Sequence, residues 1–151
     1  MNLDHLKENI IRHLEEASAY FNQLTDELIF QEPIKEGRLM GEIVLHMIRS
    51  LEFYSRGIAN DIWESLPFNL TEYDNAQKII ELYEEVKQRI ISYLNKYTPD
   101  LLLETIEDFN RPATKKEILN EMLEHSIHHR GQLSVYFRLL GHDPPKIDYI
   151  I

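Results

Sequence analysis

The chain has no cysteine, and only one tryptophan among its 151 residues. The absence of cysteine excludes disulfide bonds, zinc–thiolate and iron–sulfur sites, and a cysteine nucleophile. No apolar run approaches the roughly 20 residues that a membrane-spanning helix needs. The first residues carry acids where a secretion signal has bases, and no apolar core follows them. We therefore expect a cytoplasmic protein that acts away from membranes and without a thiol of its own.

Basic residues are scarce as well, with 16 lysines and arginines against 26 acids, for a net charge of −10. These bases are scattered along the chain rather than clustered. Because such a chain repels a phosphate backbone, we expect no nucleic-acid partner. The hydrophobic content of 43% is typical of a globular protein. The length favours one domain spanning residues 1–151.

Four long segments repeat apolar residues every three or four positions, which is typical of helices with one buried face. They run over about 3–24, 39–59, 73–97 and 115–140. Residues 98–113 remain ambiguous between a short helix from Pro99 and an extended piece after Glu104. The sequence predicts an all-α four-helix bundle. The connections are long enough for a crossover, so the helices need not alternate in direction.

Several residues mark the ends of these helices. Thr71 is a candidate N-cap for the third helix, and Thr114 with Glu117 forms a capping-box pattern before the fourth. Gly141 fits a left-handed cap at the end of the fourth helix. Gly131 lies in mid-helix, where glycine costs about 1 kcal/mol relative to alanine. We therefore expect Gly131 to permit close packing against a neighbouring helix.

Three histidines are the leading candidates for chemistry. His125 and His129 are four residues apart on the predicted fourth helix, so both rings project from one face. His46 interrupts an apolar line of the second helix. An unpaired buried polar group costs about 1–3 kcal/mol, and one shared divalent ion would satisfy all three imidazoles. The sequence predicts a metal site at these histidines; the competing interpretation is ordinary core or surface histidines.

The spacing also discriminates among metal sites. His128 competes with His129 as a ligand, but Gln132 continues the His125/His129 line, which favours His129. The pair lacks the glutamate of a His-Glu-x-x-His metallopeptidase. No histidine follows a glutamate by three residues, as di-iron bundles require. A mononuclear site with open coordination positions is the remaining interpretation.

This constellation resembles the signature of DinB-like proteins, the DNA-damage-inducible family grouped with YfiT-type metal proteins and thiol-dependent S-transferases. The resemblance covers nearly the whole chain. The matching segments are His125, His129-Arg130-Gly131-Gln132, Leu139-Leu140-Gly141, Pro144-Pro145 and the run from Gly41 to Met47. The resemblance implies a four-helix bundle with a long crossover between helices two and three, often as a homodimer. It also implies a nickel- or zinc-type ion held by His46, His125 and His129.

The wider family includes enzymes that join small thiols to electrophiles. A site of three neutral histidines leaves the charge of its ion uncompensated, which attracts an anion and lowers the pKa of a thiol. Because the chain has no cysteine, the thiol must be a cosubstrate. We expect a metal-dependent transferase that activates a low-molecular-weight thiol for attack on an electrophilic small molecule. Gln132 and Arg130 are candidate cofactor-binding residues, although Arg130 suits a salt bridge equally well; no catalytic side chain is assigned.

Two other functions remain open. In the first, the same ion activates water for hydrolysis, and Glu42 and Glu121, each one turn before a ligand, are the nearest candidate bases. In the second, the protein is a non-enzymatic metal-binding stress protein whose site stabilises the fold.

Overall fold

The computed structural model describes residues 2–148; residue 1 and residues 149–151, the ends of the predicted domain, lie outside the described residues. Four long helices dominate the described part of the chain and confirm the predicted bundle. A short helix and a two-stranded hairpin lie between the last two. The elements are α1 Leu3–Phe21, α2 Met40–Asn60, α3 Ala76–Leu94, α4 Pro99–Leu103, β1 Thr105–Ile106, β2 Ala113–Thr114 and α5 Lys115–Leu139.

The helices follow an up-down-down-up order. Contacts pair α1 with α3 and α5, and α2 with the same two helices, so α1 and α2 lie on a diagonal. Glu52 of α2 contacts Arg89 of α3 while Ser55 contacts Tyr97, so these two helices are parallel. Residues 61–75 must therefore carry the chain back along the bundle. This crossover between the second and third helices agrees with the prediction.

Helices α2 and α5 run antiparallel. At one end, Lys115 Nζ lies 2.8 Å from Asp61 Oδ1. Towards the middle, Ser55 Oγ donates to Met122 Sδ at 3.2 Å. Beyond these contacts the two helices bring His46 opposite His125. This pairing places the predicted metal-ligating residues of two distant segments on one surface.

The predicted caps of the last helix are confirmed. Thr114 Oγ1 accepts from the Glu117 amide at 3.2 Å, and Glu117 Oε2 accepts from the Thr114 amide at 2.8 Å. Gly141 adopts a φ of +83°, as a left-handed cap requires.

The predicted start of the third helix is wrong. The helix begins at Ala76 because Asn75 Oδ1 accepts from the Lys78 amide at 2.9 Å. The Thr71 amide instead donates to Asn69 Oδ1 at 2.9 Å, in a turn that precedes the helix.

The ambiguous segment contains both predicted conformations, a short helix and then an extended hairpin. Lys115, whose side chain is fully buried, donates to Glu104 Oε2 at 2.8 Å as well as to Asp61. These two ion pairs fix the hairpin and the end of α2 to the start of α5. The hairpin therefore has a defined position beside α2 and α5.

The expected close packing of a neighbouring helix against Gly131 is wrong for the helices of this chain. A β-carbon at this position would have no neighbouring atom within 4 Å, because the residue lies on the outer face of α5. Among the described residues, no helix combines the length and apolar character needed to cross a membrane.

Candidate metal centre

The antiparallel packing of α2 and α5 brings three imidazoles together. His46 Nε2 lies 3.3 Å from His125 Nε2, which lies 3.1 Å from His129 Nε2. The ligand atoms of all three histidines are within 4.8 Å of one another. Among the described residues, they form the one group of three or more histidines and carboxylates with this arrangement.

The spacing of the nitrogens fits a single divalent ion. Imidazole nitrogens about 2.0–2.1 Å from one ion are roughly 2.9–3.4 Å apart at ordinary coordination angles. The two short separations, 3.3 and 3.1 Å, fall in this range. Neutral imidazole is a ligand that suits zinc, nickel, copper and iron alike. The donor set and its geometry therefore fit a divalent ion without selecting nickel or zinc, and no carboxylate belongs to the group.

Gln132 orients one of the three rings. His129 Nδ1 donates to Gln132 Oε1 at 2.8 Å, and Gln132 Nε2 donates to the Tyr136 hydroxyl at 2.9 Å. A proton on Nδ1 leaves the lone pair of His129 Nε2 directed at the other two histidines. Gln132 therefore acts on the site through His129, and direct contact with a cofactor stays a prediction.

The surroundings favour the neutral form of all three rings, which is the form that binds a metal. Burial lowers the pKa of His46 to about 4, with further lowering by the other two histidines and by Arg38 and Arg49. Burial also lowers the pKa of His125 and of His129, in each case with a contribution from His128.

Two arginines near the site were not singled out by the sequence. Arg49 follows His46 by three residues on α2, and its guanidinium donates to the Phe68 carbonyl at 3.1 Å and lies 3.4 Å from His46 Nδ1. Arg38 is exposed and precedes α2, and its charge acts on both His46 and His129. The i, i+3 spacing of His46 and Arg49 was the available signal. Together they place positive charge beside the three histidines.

Arg130 lies at the interface between α5 and α1. It forms an ion pair with Glu16 and donates to His13 Nδ1 at 2.8 Å. Burial, followed by the charge of Arg130, lowers the pKa of His13 to about 3, and His13 Nε2 lies 2.6 Å from Ser126 Oγ. The salt-bridge alternative accounts for this side chain. A cofactor-binding role for Arg130 stays a prediction without a contact to support it.

The other sequence candidates lie at the edge of the site or apart from it. His128 is exposed and stacks edge-on against His129, with ring centroids 5.1 Å apart, outside the three-histidine group. Glu42 Oε2 accepts from the Leu39 amide at 2.9 Å and so caps the start of α2. Glu121 is exposed and lines a cleft between α2 and α5. Of the two candidate bases, only Glu121 therefore lines this cleft.

The chain is therefore an up-down-down-up helical bundle in which α2 and α5 carry a three-histidine candidate metal centre. This combination places it among the helical-bundle proteins with a candidate metal site. The family model of the DinB family matches residues 2–151 of this chain. The chain therefore belongs to the DinB family.

Known relatives agree with this assignment. The uncharacterized protein YjoA of Bacillus subtilis is 23% identical over 140 residues, covering 88% of this chain and 90% of that protein. The crystal structure of YjoA, a DinB-like protein, superposes with a TM-score of 0.79 over 97% of this chain and 99% of that chain at 20% identity. A DinB-like protein from Bacillus cereus gives 0.80 over 96% and 97% at 21% identity.

A more distant structure shares the fold and carries a functional description. YfiT from Bacillus subtilis gives a TM-score of 0.64 at 18% identity, over 91% of this chain and 89% of that one. It is described as a probable metal-dependent hydrolase with an unusual four-helix bundle topology. These likenesses confirm the fold predicted for this chain.

We predict that each of His46→Ala, His125→Ala and His129→Ala weakens zinc or nickel binding by more than about 100-fold, because each removes one of three nitrogen ligands. Metal content and calorimetric titration of protein purified without a histidine tag measure the effect. His128→Ala is the matched control and should bind like the wild type. If His128→Ala loses the metal and His129→Ala keeps it, the ligand assignment is wrong.

We predict that Gln132→Leu weakens metal binding by about 10- to 100-fold, because His129 loses the acceptor that fixes its tautomer. Gln132→Glu retains an acceptor oxygen and should stay close to wild type. Competition with a chromogenic chelator measures the affinities. The control is Gln88→Leu, at an exposed glutamine of α3. Equal affinities for Gln132→Leu and Gln88→Leu would show that the hydrogen bond has no role in metal binding.

Proposed function

We propose that this protein is a metal-dependent enzyme that activates a low-molecular-weight thiol for attack on an electrophilic small molecule. The observation that supports this proposal most directly is the convergence of three neutral imidazole nitrogens without a carboxylate. When bound there, a divalent ion supplies a positive centre that lowers the pKa of a thiol reaching its open positions. The absence of cysteine from the chain requires that the thiol come from solution.

The side chains around the histidines have separate tasks in this proposal. Gln132 holds His129 in the tautomer that presents Nε2. Arg38 and Arg49 attract an anionic group on the cosubstrate, a task that the sequence had suggested for Arg130. In the transfer, the thiol gives its proton to solvent and its sulfur forms a bond to carbon. The bond from that carbon to the leaving group, such as chloride, breaks, and the leaving group departs with the electron pair.

Hydrolysis is the second candidate, and two observations favour it. YfiT, which shares the fold, is described as a probable metal-dependent hydrolase. Glu121 lines the cleft between α2 and α5, one turn before His125, where a carboxylate can accept a proton from water. The two candidates differ in one requirement, because only the transferase needs a thiol.

We predict that the metal-loaded protein conjugates p-nitrobenzyl chloride to a thiol, and that His46→Ala abolishes the reaction. Chromatographic detection of the thioether, with mercaptopropionate, mercaptopropanol, glutathione and coenzyme A as thiols, measures it. Arg38→Ala should raise the KM for mercaptopropionate about fivefold and leave that for the uncharged mercaptopropanol unchanged. Arg138→Ala, at an exposed arginine of α5, is the matched control.

Metal-dependent hydrolysis of p-nitrophenyl acetate without a thiol, together with no conjugate from any thiol of the panel, would reject the transferase and support the hydrolase.

We further propose that the protein forms a homodimer through the outer face of α5. Three large apolar side chains are exposed there at four-residue steps, namely Ile127 at 44%, Val135 at 54% and Leu139 at 58%. Gly131 occupies the remaining position of this stripe and has open space in front of it. A second copy of the same helix can approach closely at a glycine and cover the apolar residues on both sides. The resemblance to dimeric family members points the same way.

We predict that Val135→Glu converts the dimer to a monomer, because it places a charge in the middle of the apolar stripe. Sedimentation velocity at several concentrations measures the state of association. Leu103→Glu is the control, since Leu103 is 67% exposed on α4 and lies outside the stripe. A monomeric wild type, or a Val135→Glu variant that associates as the wild type does, would contradict the proposal.

A further inference from the structure

A cleft of about 710 Å³ lies between α2, α5 and the β1–β2 hairpin. Residues that line it include Phe53, Tyr54, Asp108, Phe109, Arg111 and Glu121. A smaller recess of about 200 Å³ adjoins the three-histidine site and is lined by His46 and Arg49. Phe53 and Tyr54 line both spaces, so the cleft and the recess lie next to each other at these two rings. The volume of the cleft is in the range of ordinary small-molecule sites.

Phe53, Tyr54 and Phe109 line this cleft, and Trp63 from the crossover packs against two of these rings. The ring of Phe53 lies 5.5 Å from that of Tyr54 and 5.7 Å from that of Trp63, between centroids. Trp63 in turn lies 5.0 Å from Phe109 of the hairpin, almost perpendicular to it. Gly57 makes the arrangement possible, since a β-carbon there would overlap the Trp63 ring. The contacts fix the rings relative to one another.

These rings remain accessible. Phe53, Tyr54 and Trp63 are only partly buried, and Phe109 is 36% exposed although it is a large apolar side chain. Rigid, partly exposed aromatic faces bind a planar apolar group by burial and by ring stacking. Packing accounts for the contacts between the rings. The cleft beside them is open and large enough to hold such a planar group.

The charge of the cleft differs from that of the metal site. Glu121 and Asp108 line the cleft, and the charge of Glu121 contributes to the raised pKa of Tyr54 after burial. The one basic lining residue, Arg111, forms an ion pair with Glu117 at 3.4 Å. The aromatic end is therefore net acidic, whereas the histidine end carries Arg38 and Arg49. An anion is disfavoured at the aromatic end.

We propose that this cleft is the subsite for an aromatic small molecule that is cationic or neutral, whose ring packs against Phe53, Tyr54 and Phe109 while its far end points along the recess towards His46. In the terms of the proposed function, on which this assignment rests, the occupant is the electrophilic substrate. The anionic cosubstrate then approaches from the side of the two arginines. The proposal thus places the two reactants in adjacent spaces on either side of Phe53 and Tyr54.

The single tryptophan allows a binding test that needs no turnover. Trp63 contacts two of the lining rings, so a nitroaromatic ligand in the cleft should quench its fluorescence saturably. The probes are p-nitrobenzylamine, p-nitrobenzyl alcohol and p-nitrobenzoate, which share a ring and differ in charge. We expect the amine to bind most tightly, then the alcohol, and the benzoate at least about fivefold more weakly than the amine.

Two variants with matched controls test the named residues. Phe109→Ala should weaken the amine and the alcohol about five- to tenfold, and Phe30→Ala, at a ring that is 50% exposed elsewhere, should not. Glu121→Gln should reduce the preference for the amine over the alcohol, with Asp108 retaining part of it, and Glu124→Gln, at an exposed glutamate of α5, should preserve it in full. Because Phe109 contacts the reporter, calorimetric titration repeats the affinities independently of fluorescence.

The outcomes separate this subsite from the proposed reaction. Saturable binding that persists in His46→Ala supports the subsite even if no thioether forms, which would refute only the transferase. Collisional quenching alone, tightest binding of the benzoate, or equal losses in Phe109→Ala and Phe30→Ala would overturn the subsite, whether or not the protein conjugates thiols.

Discussion

The antiparallel packing of α2 against α5 is the constraint on which both the candidate metal centre and the cleft depend. Buried Lys115, held by Asp61 and Glu104, fixes one end of the pair. The three histidines converge further along the same two helices. A lysine that is fully buried is costly unless it is paired, so its two carboxylates specify the register of the helices. A shift of one turn, about 5.4 Å, would separate His46 from His125 by more than a shared ion can span.

The crossover is what allows this pairing. Because α2 and α3 are parallel, residues 61–75 have to run the length of the bundle, and they pass beside α2 on the way. There the crossover supplies Trp63, which packs against the cleft-lining rings of Phe53 and Phe109, and the Phe68 carbonyl, which accepts from Arg49. A short turn between antiparallel helices would supply neither. The topology therefore contributes side chains as well as helix order.

The sequence predicted the parts of the fold that depend on local chemistry. Apolar periodicity located the four long helices, and the Thr114–Glu117 pair located the start of the last one. The start of α3 was misjudged because Asn69 and Asn75 both make local hydrogen bonds that compete with the weaker signal of Thr71. The packing role expected for Gly131 was wrong because periodicity locates a helix without showing what lies against its outer face. Within the chain, nothing lies against Gly131.

At the site, too, the features set by local chemistry were predictable and those set by tertiary packing were not. The i, i+4 pair and His46 were recognisable because imidazoles on apolar helix faces need a partner, whichever residues surround them. The partner of Arg130 was not recognisable, since Glu16 is more than a hundred positions away and reaches it only through the parallel packing of α1 and α5. The positions of Arg38 and of Phe109 in the hairpin depend on the direction of loops, which no periodic pattern encodes.

For the proposed reaction, the separation of charge between the histidine end and the aromatic end decides where each reactant binds. Arg38 and Arg49 place positive charge at the histidine end, and Glu121 and Asp108 place negative charge at the aromatic end. A negatively charged nucleophile and a neutral or cationic electrophile would each be disfavoured at the other's end. In the proposed reaction, the two reactants would meet beside Phe53 and Tyr54, which line both spaces. A groove of uniform polarity would bind either reactant at either end, and productive encounters would be correspondingly rarer.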